Sequence, residues 1–145
     1  MGKHQPNRNV EVRFGQREDI PAVQTFLAEE GELSPVAIGV LAHADLVFWI
    51  AVEAGETVAT ILTRPLPFAD GSMRGGADQL VVAAHRRNQG IGRRLMELAE
   101  GYYRSRGAIG MSLVVAADNA PAVHLYERLG YTPVQRRIRM AKDFL

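Results

Sequence analysis

No cysteine occurs anywhere in the sequence. That rules out disulfides, thiolate metal sites and a covalent acyl-cysteine intermediate. No apolar run approaches the roughly 20 residues that a membrane span requires. The opening MGKHQPNRNV lacks the apolar stretch of a secretory signal, and Pro6 stands where a myristoylation motif wants Ser or Thr. A soluble, cytoplasmic protein with no membrane partner is therefore the expectation. Charge of one sign is also lacking: 17 Lys and Arg against 16 Asp and Glu leave a net charge of +1. A dedicated nucleic-acid binder is more basic than this, so no nucleic-acid partner is expected. The four histidines, His4, His43, His85 and His124, show no ligand spacing, and no metal is expected. There is no repeat and no low-complexity tract. The 145 residues suit one domain with a single core, residues 10–145, behind a polar, disordered stretch at 1–9.

What is present centres on the stretch from Asp78 to Gly107, DQLVVAAHRRNQGIGRRLMELAEGYYRSRG. Leu80, Val81 and Val82 form an apolar run that reads as a strand covered on both faces. A basic turn with Gly90 and Gly92 follows, where the missing Cβ atoms allow a sharp bend and close approach of a ligand. Behind it Ile91, Leu95, Leu98, Ala99 and Tyr102 fall on one face of a helix, and Gly107 stands where a left-handed cap would stop it. Such a turn aims backbone N–H groups and the positive end of a helix dipole at one spot. An anion such as phosphate is held there. Arginines cluster locally (Arg86, Arg87, Arg93, Arg94, and Arg136, Arg137, Arg139), which suits a small polyanionic ligand. The turn lacks the Lys-Ser/Thr pair of a Walker A loop and the third glycine of a dinucleotide fingerprint. Taken alone, it is equally a tight strand-to-helix turn whose glycines serve packing.

Before this stretch, Val10–Phe14 alternates as a strand, and Asp19 with Pro21 opens a helix carrying Ile20, Val23, Phe26 and Leu27 on one face. Ser34-Pro35 starts a second helix through about His43. Leu46–Val52 and Thr57–Thr63 make an antiparallel hairpin around Ala54-Gly55. Pro65–Gly76 reads as a Pro/Gly-rich loop. After it, Met111–Ala116 is a buried strand that pairs in parallel with the Asp78 strand. Asn119 with Asp118 caps a helix whose inner face holds Ala122, Leu125, Tyr126 and Leu129, with Gly130 as the stop. Val134–Met140 is a last, basic strand near an edge.

Two motifs resemble one family. Arg87-Asn88-Gln89-Gly90-Ile91-Gly92 matches the R/Q-x-x-G-x-G/A signature of the GNAT acetyltransferase superfamily, placed between a strand and a long helix. The segment DNAPAVHLYERLGY is similar to that family's N-x-x-A-x-x-L-Y-x-x-x-G-F/Y pattern, with Asn119, Ala122, Leu125, Tyr126, Gly130 and Tyr131 in register. The strand holding Arg13 followed by Asp19 looks like a GNAT N-terminus by element order only. The resemblance implies an α/β fold with a mixed sheet: mostly antiparallel N-terminal strands and a central parallel β-α-β unit for acetyl-CoA. It implies an N-acetyltransferase acting on a small-molecule or peptide amine, and leaves a homodimer open. In it the turn from Arg87 through Arg93 holds the pyrophosphate, and backbone groups of Leu80 and Val82 and the side chain of Asn119 hold pantetheine. An amide near Val82 faces the thioester oxygen, as the family's bulged strand implies.

Moving an acetyl group from a thioester to an amine needs a neutral amine, a donor for the oxyanion and a proton for the departing thiolate. A phenol is protonated at neutral pH. Tyr126 is by itself an ordinary core aromatic; the resemblance makes it the general acid. Some members carry a Glu on the strand before the Asn motif, but Val114 stands there. Asp78, Glu29, Glu30, Glu32, His85 or a water relay remain for the base. Phe48 and Trp49 with the three glutamates could line an acceptor pocket. Two other readings stay open: an acyl-CoA-binding regulatory module without catalysis, and a nucleotide- or RNA-phosphate-binding domain.

Overall fold

The computed structural model describes residues 9–135, 138 and 140–144. Of the expected disordered stretch only Asn9 is described, in a turn. The chain divides after Val114 into two compact units.

The first unit is built on five strands in the order β1-β2-β3-β4-β5: β1 Glu11–Phe14, β2 Val47–Glu53, β3 Glu56–Pro67, β4 Met73–Val82 and β5 Met111–Leu113. The first four pair antiparallel, and β4 pairs β5 in parallel. This is the mixed sheet expected from the sequence. Between β2 and β3, Ala54 (φ 52°) and Gly55 (φ 80°) are both left-handed, the conformation a two-residue hairpin turn demands.

Of the segment 65–76 only residues 68–72 are a loop. Strand β3 runs on through Pro65 to Pro67, and β4 begins at Met73. Gly75 and Gly76 are strand residues because their neighbours occupy the space a side chain would need. A Cβ on Gly75 would lie 2.5 Å from both the Met111 Sδ and the Tyr103 ring, and one on Gly76 would lie 2.7 Å from Leu66. The glycines here let rings and methyls approach the sheet.

Helix α1 (Ile20–Glu29) packs on β3 and buries Val23, Phe26 and Leu27 as expected. Asp19 stands at its N-cap position without capping it. Arg13 takes both carboxylate oxygens at 2.9 Å and the Gln16 N–H takes Oδ2, so the carboxylate is held in its charged form, below its ordinary pKa. In α2 (Pro35–Leu41) Ser34 does cap, accepting from the Ala37 N–H at 3.1 Å. Helix α3 (Ile91–Ser105) packs on β2, β3 and β4, burying Ile91, Leu95, Met96, Ala99 and Tyr103. The buried stripe is thus turned from the expected one, with Met96 and Tyr103 inside and Leu98 and Tyr102 at its half-buried margin. The reason is long-range. Thr63 donates to the Val47 carbonyl at 2.6 Å, and its hydroxyl oxygen meets the Tyr103 hydroxyl at 2.8 Å, so Tyr103 is fixed beneath the sheet. Burial pushes that phenol up to about 12. Tyr102 instead packs between Phe14 and Trp49 with Arg106 stacked 3.7 Å over its ring.

Strand β5 is shorter than the expected Met111–Ala116 and only half-buried; Val114 beyond it is exposed. The second unit holds α4 (Ala120–Arg128), whose less exposed face carries Ala122, Leu125, Tyr126 and Leu129 as read from the sequence, none of them fully buried. The expected strand Val134–Met140 is not formed by its described residues Val134, Gln135, Ile138 and Met140; Arg136, Arg137 and Arg139 lie outside the described residues. Among the described residues no helix is long and apolar enough to cross a membrane.

Candidate active site

The central stretch forms one continuous strand, turn and helix. Strand β4 is paired on both sides only in part. Its partner β5 covers Gly75–Ala77, whereas β3 follows it to Val82. Beyond Ala77 the β5-side edge of β4 has no strand partner among the described residues.

Which backbone groups face that edge follows from the register. Leu62 pairs Gln79 and Thr63 pairs Ala77, so Asp78 is an extra residue, a β-bulge. Past it, the Ala83 N–H donates to the Val58 carbonyl at 2.8 Å. Antiparallel pairs alternate between bonded and non-bonded, so Val81 and Gln79 also turn their N–H groups to β3. Leu80 and Val82 therefore direct theirs to the unpartnered edge. These are the two strand residues expected to meet pantetheine, and the structure gives them one exposed backbone edge rather than the two covered faces the apolar run implied. Their side chains are half-buried.

A short 3-10 helix, Ala84–Arg86, leads into the turn. Arg87 folds back, its Nε donating to the Val82 carbonyl at 3.0 Å, with a guanidinium nitrogen 4.0 Å from Glu30. Its charge thus closes the strand end while the turn projects beyond it. Asn88 (φ 62°) and Gly90 (φ 83°) are left-handed, a conformation that glycine adopts without cost and asparagine more readily than other residues. Gln89 is held by its amide to the His85 carbonyl at 3.4 Å and by Arg86, which also pairs with Glu53. Gly90 is the N-cap of α3 and has no side chain to cap with. The first bond of the helical ladder runs from the Arg94 N–H to the Gly90 carbonyl at 3.0 Å. The N–H groups of Ile91, Gly92 and Arg93 precede it and carry the helix's positive pole. Ile91, 2% exposed, anchors the turn in the core. Gly92 lies inside α3, so its glycine answers no need for a left-handed turn. Arg93 is exposed and pairs with Glu97 one turn on.

Asn119 and Tyr126 belong to the second unit and are described within it. Asn119 is the N-cap of α4 and accepts from the Ala122 N–H at 3.4 Å; Asp118 takes no part in the cap. Tyr126 is half-buried, its ring edge-on to Tyr131 at 6.0 Å. Burial raises its phenol above the ordinary value. The proton is thus kept to higher pH than on an exposed tyrosine.

The base candidates separate. Both carboxylate oxygens of Asp78 are gripped by Arg64, at 2.8 and 3.1 Å. Glu32 contributes its backbone carbonyl to the Gln79 side chain at 3.0 Å. Glu29, Glu30 and His85 share an open cavity of about 520 Å³ with Phe26, Glu53 and Val58. The expected aromatic acceptor pocket does not form. Phe48 and Trp49 are 3% and 5% exposed, and adjacent strand residues point to opposite faces. Phe48 packs on Gly15, and Trp49 on Phe14 and Tyr102. Among the described residues no group of three or more His, Asp or Glu could hold a metal ion. The bulge that the resemblance implies is present; missed by the sequence reading were its place at Asp78 and the Arg64–Asp78 pair, whose only local signal was the polar step Asp78-Gln79 interrupting a strand pattern.

A family model described as the acetyltransferase (GNAT) family matches residues 14–131. Streptothricin acetyltransferase of Streptomyces lavendulae is 35% identical over 88 residues, which is 61% of this chain and 46% of that protein. The chain thus spans less than half the length of that relative. Among solved structures, an aminoglycoside acetyltransferase from an uncultured soil metagenomic sample superposes with a TM-score of 0.76 at 13% identity, over 96% of this chain and 99% of that one. An aminoglycoside N-acetyltransferase in complex with CoA does so with a TM-score of 0.73 at 14% identity, over 92% and 94%. At such identities the likeness is one of fold.

Proposed function

The chain belongs to the acetyltransferase (GNAT) family, and on that premise we propose that it moves the acetyl group of acetyl-CoA to a primary amine by direct transfer in a ternary complex. One observation carries this reading: the uncapped start of α3 continues directly from a strand edge whose amides at Leu80 and Val82 have no strand partner among the described residues. A cosubstrate with a diphosphate at one end and an amide-bearing arm at the other suits that sequence of donors. The pyrophosphate would rest on the N–H groups around Gly90–Arg93, with Asn88 and Gln89 shaping the turn and Arg87 bracing it from Val82. The pantetheine arm would add to the β4 edge as a further strand does, with the Asn119 amide as an additional partner.

In the reaction the neutral amine attacks the thioester carbon, forming the C–N bond and placing a negative charge on oxygen. An N–H of the β4 edge near Val82 would stabilise that charge. Collapse breaks the C–S bond, the Tyr126 hydroxyl gives its proton to the departing thiolate, the ammonium nitrogen releases one to water, and water returns a proton to the Tyr126 phenolate. The absence of cysteine leaves no thiol for an acyl-enzyme, which supports direct transfer. The acceptor is a small-molecule or peptide amine. Because structural neighbours are aminoglycoside acetyltransferases, aminoglycosides head the screen, followed by polyamines, amino acids and peptide N-termini.

Acetyl-CoA at about a hundred times its dissociation constant should stabilise the protein by roughly 2.7 kcal/mol, a shift visible in thermal melts. Absence of a shift, with no heat of binding by calorimetry, would sink the proposal. Release of CoA thiol with one amine of the panel separates an enzyme from a binding module.

A further inference from the structure

Resting on the acetyl-CoA reading and extending it, we infer that Arg64 and Asp78 are positioning residues that lock the β4 bulge, and with it the choice of amides presented to the thioester. The bulge has a consequence of parity. Ahead of it the Gly75 N–H faces away from β3, donating to the Gly110 carbonyl at 3.0 Å. With simple alternation Gln79 and Val81 would face the same way, and Leu80 and Val82 would turn to β3. The extra residue at 78 reverses this, so that Leu80 and Val82 supply the outward N–H groups. A shift of one residue in the ladder would exchange the two sets, and a bulged residue has no ladder bond of its own to prevent it.

Side chains supply what the ladder omits. Arg64, opposite Gly76 on β3, reaches diagonally to Asp78 and grips both oxygens, Nε to Oδ2 at 2.8 Å and Nη2 to Oδ1 at 3.1 Å. A two-point guanidinium–carboxylate pair fixes orientation as well as distance. The next residue, Gln79, is tied to the Glu32 carbonyl between α1 and α2 at 3.0 Å. Two successive side chains of the bulge are thus anchored, one to the neighbouring strand and one to a loop distant in sequence. Arg64 is 36% and Asp78 18% exposed, so the pair adds little to stability; its effect is positional.

The experiment follows the carbonyl stretch of acetyl-CoA carrying carbon-13 at its carbonyl, by infrared difference spectroscopy on the full chain, in wild type and in Asp78→Ala and Arg64→Met. Hydrogen bonding from the β4 edge lowers that frequency in the wild-type complex. Each variant should lose most of the lowering while calorimetric affinity for acetyl-CoA stays within about threefold, because the pyrophosphate turn is untouched. With an amine from the screen, kcat should fall on the order of tenfold to a hundredfold. Combining the two substitutions should do no more than either alone, since they break one unit. Asp78→Asn and Arg64→Lys serve if the larger changes do not fold, and should show a partial loss. A variant that keeps the wild-type frequency, whatever its melting temperature, overturns the inference. Failure of the parent reading shows separately, as wild-type protein that does not bind acetyl-CoA.

Discussion

Helices α3 and α4 end alike and begin differently. At the end of α3 Gly107 (φ 83°) sends its N–H to the Arg104 carbonyl and Ala108 to that of Tyr103. At the end of α4 Gly130 (φ 95°) bonds Glu127 and Tyr131 bonds Tyr126. Both are the same glycine stop, a matter of local backbone chemistry. At the start, α4 has Asn119 accepting from the Ala122 N–H, as a helix that must satisfy its own donors does. Helix α3 has a left-handed glycine with no side chain, and its first donors are left for something else. A capped start closes a helix on itself; an uncapped one behind a glycine turn keeps N–H groups of the kind that an anion can take. This difference bears on anion binding at α3; the proposed proton donation by Tyr126 of α4 rests instead on the resemblance of its segment to the GNAT motif.

The comparison breaks most sharply at Tyr126. Tyr126→Phe keeps the ring and its contact with Tyr131 but removes the donor, and turnover should fall by about 10²–10⁴ with acetyl-CoA affinity little changed. Because burial raises the phenol above its ordinary value, the wild-type acid stays protonated across neutral and mildly alkaline pH. Its limb of the kcat profile should therefore descend at a higher pH than that of an exposed tyrosine and be missing in the variant. An unchanged rate with chemistry rate-limiting would return Tyr126 to a packing role. At the other helix, Gly92→Val introduces a side chain at a position with no left-handed requirement, so the fold should survive. Acetyl-CoA affinity should drop at least about tenfold by calorimetry if the diphosphate approaches that backbone. A folded variant that binds normally would make the turn structural. The smallest effect belongs to Asn119→Ala. Loss of a long, 3.4 Å cap should cost about 0.5 kcal/mol in denaturant unfolding. Any fall in acetyl-CoA affinity on top of that measures a second role on the pantetheine arm.

The elements that could be read from sequence are those whose signals are local. The starts and glycine stops of α3 and α4, the Ala54-Gly55 hairpin and the Ser34 cap each lie within a few residues of their cause. The parts that could not be read depend on distant partners. Pro65, Gly75 and Gly76 resemble loop chemistry until Leu66, Tyr103 and Met111 are known to fill the space beside the glycines. Periodicity puts Tyr102 on the inner face, and only Thr63, 40 residues away, selects Tyr103 for the interior instead. For the site, the turn from Arg87 to Arg93 and the pair Leu80 and Val82 could be named from the motif and the apolar run. A bulged strand is implied by the resemblance, but its place at Asp78, which makes those two residues the outward ones, could not be read, because it exists only in the register with β3.

That bulge also sets a rhythm in time. Along β4 beyond Asp78, the amides of Gln79, Val81 and Ala83 are bonded into the ladder with β3, whereas those of Leu80 and Val82 face the unpartnered edge. In ligand-free protein their protons should exchange with solvent deuterium at alternating rates, slow, fast, slow, fast, slow. Such a pattern within a single strand reports edge exposure rather than unfolding, because unfolding would release all five together. The alternation shifts phase at Asp78. A strand whose neighbouring amides keep such different clocks is rigid in position and open along one side, as a seat for an extended guest must be.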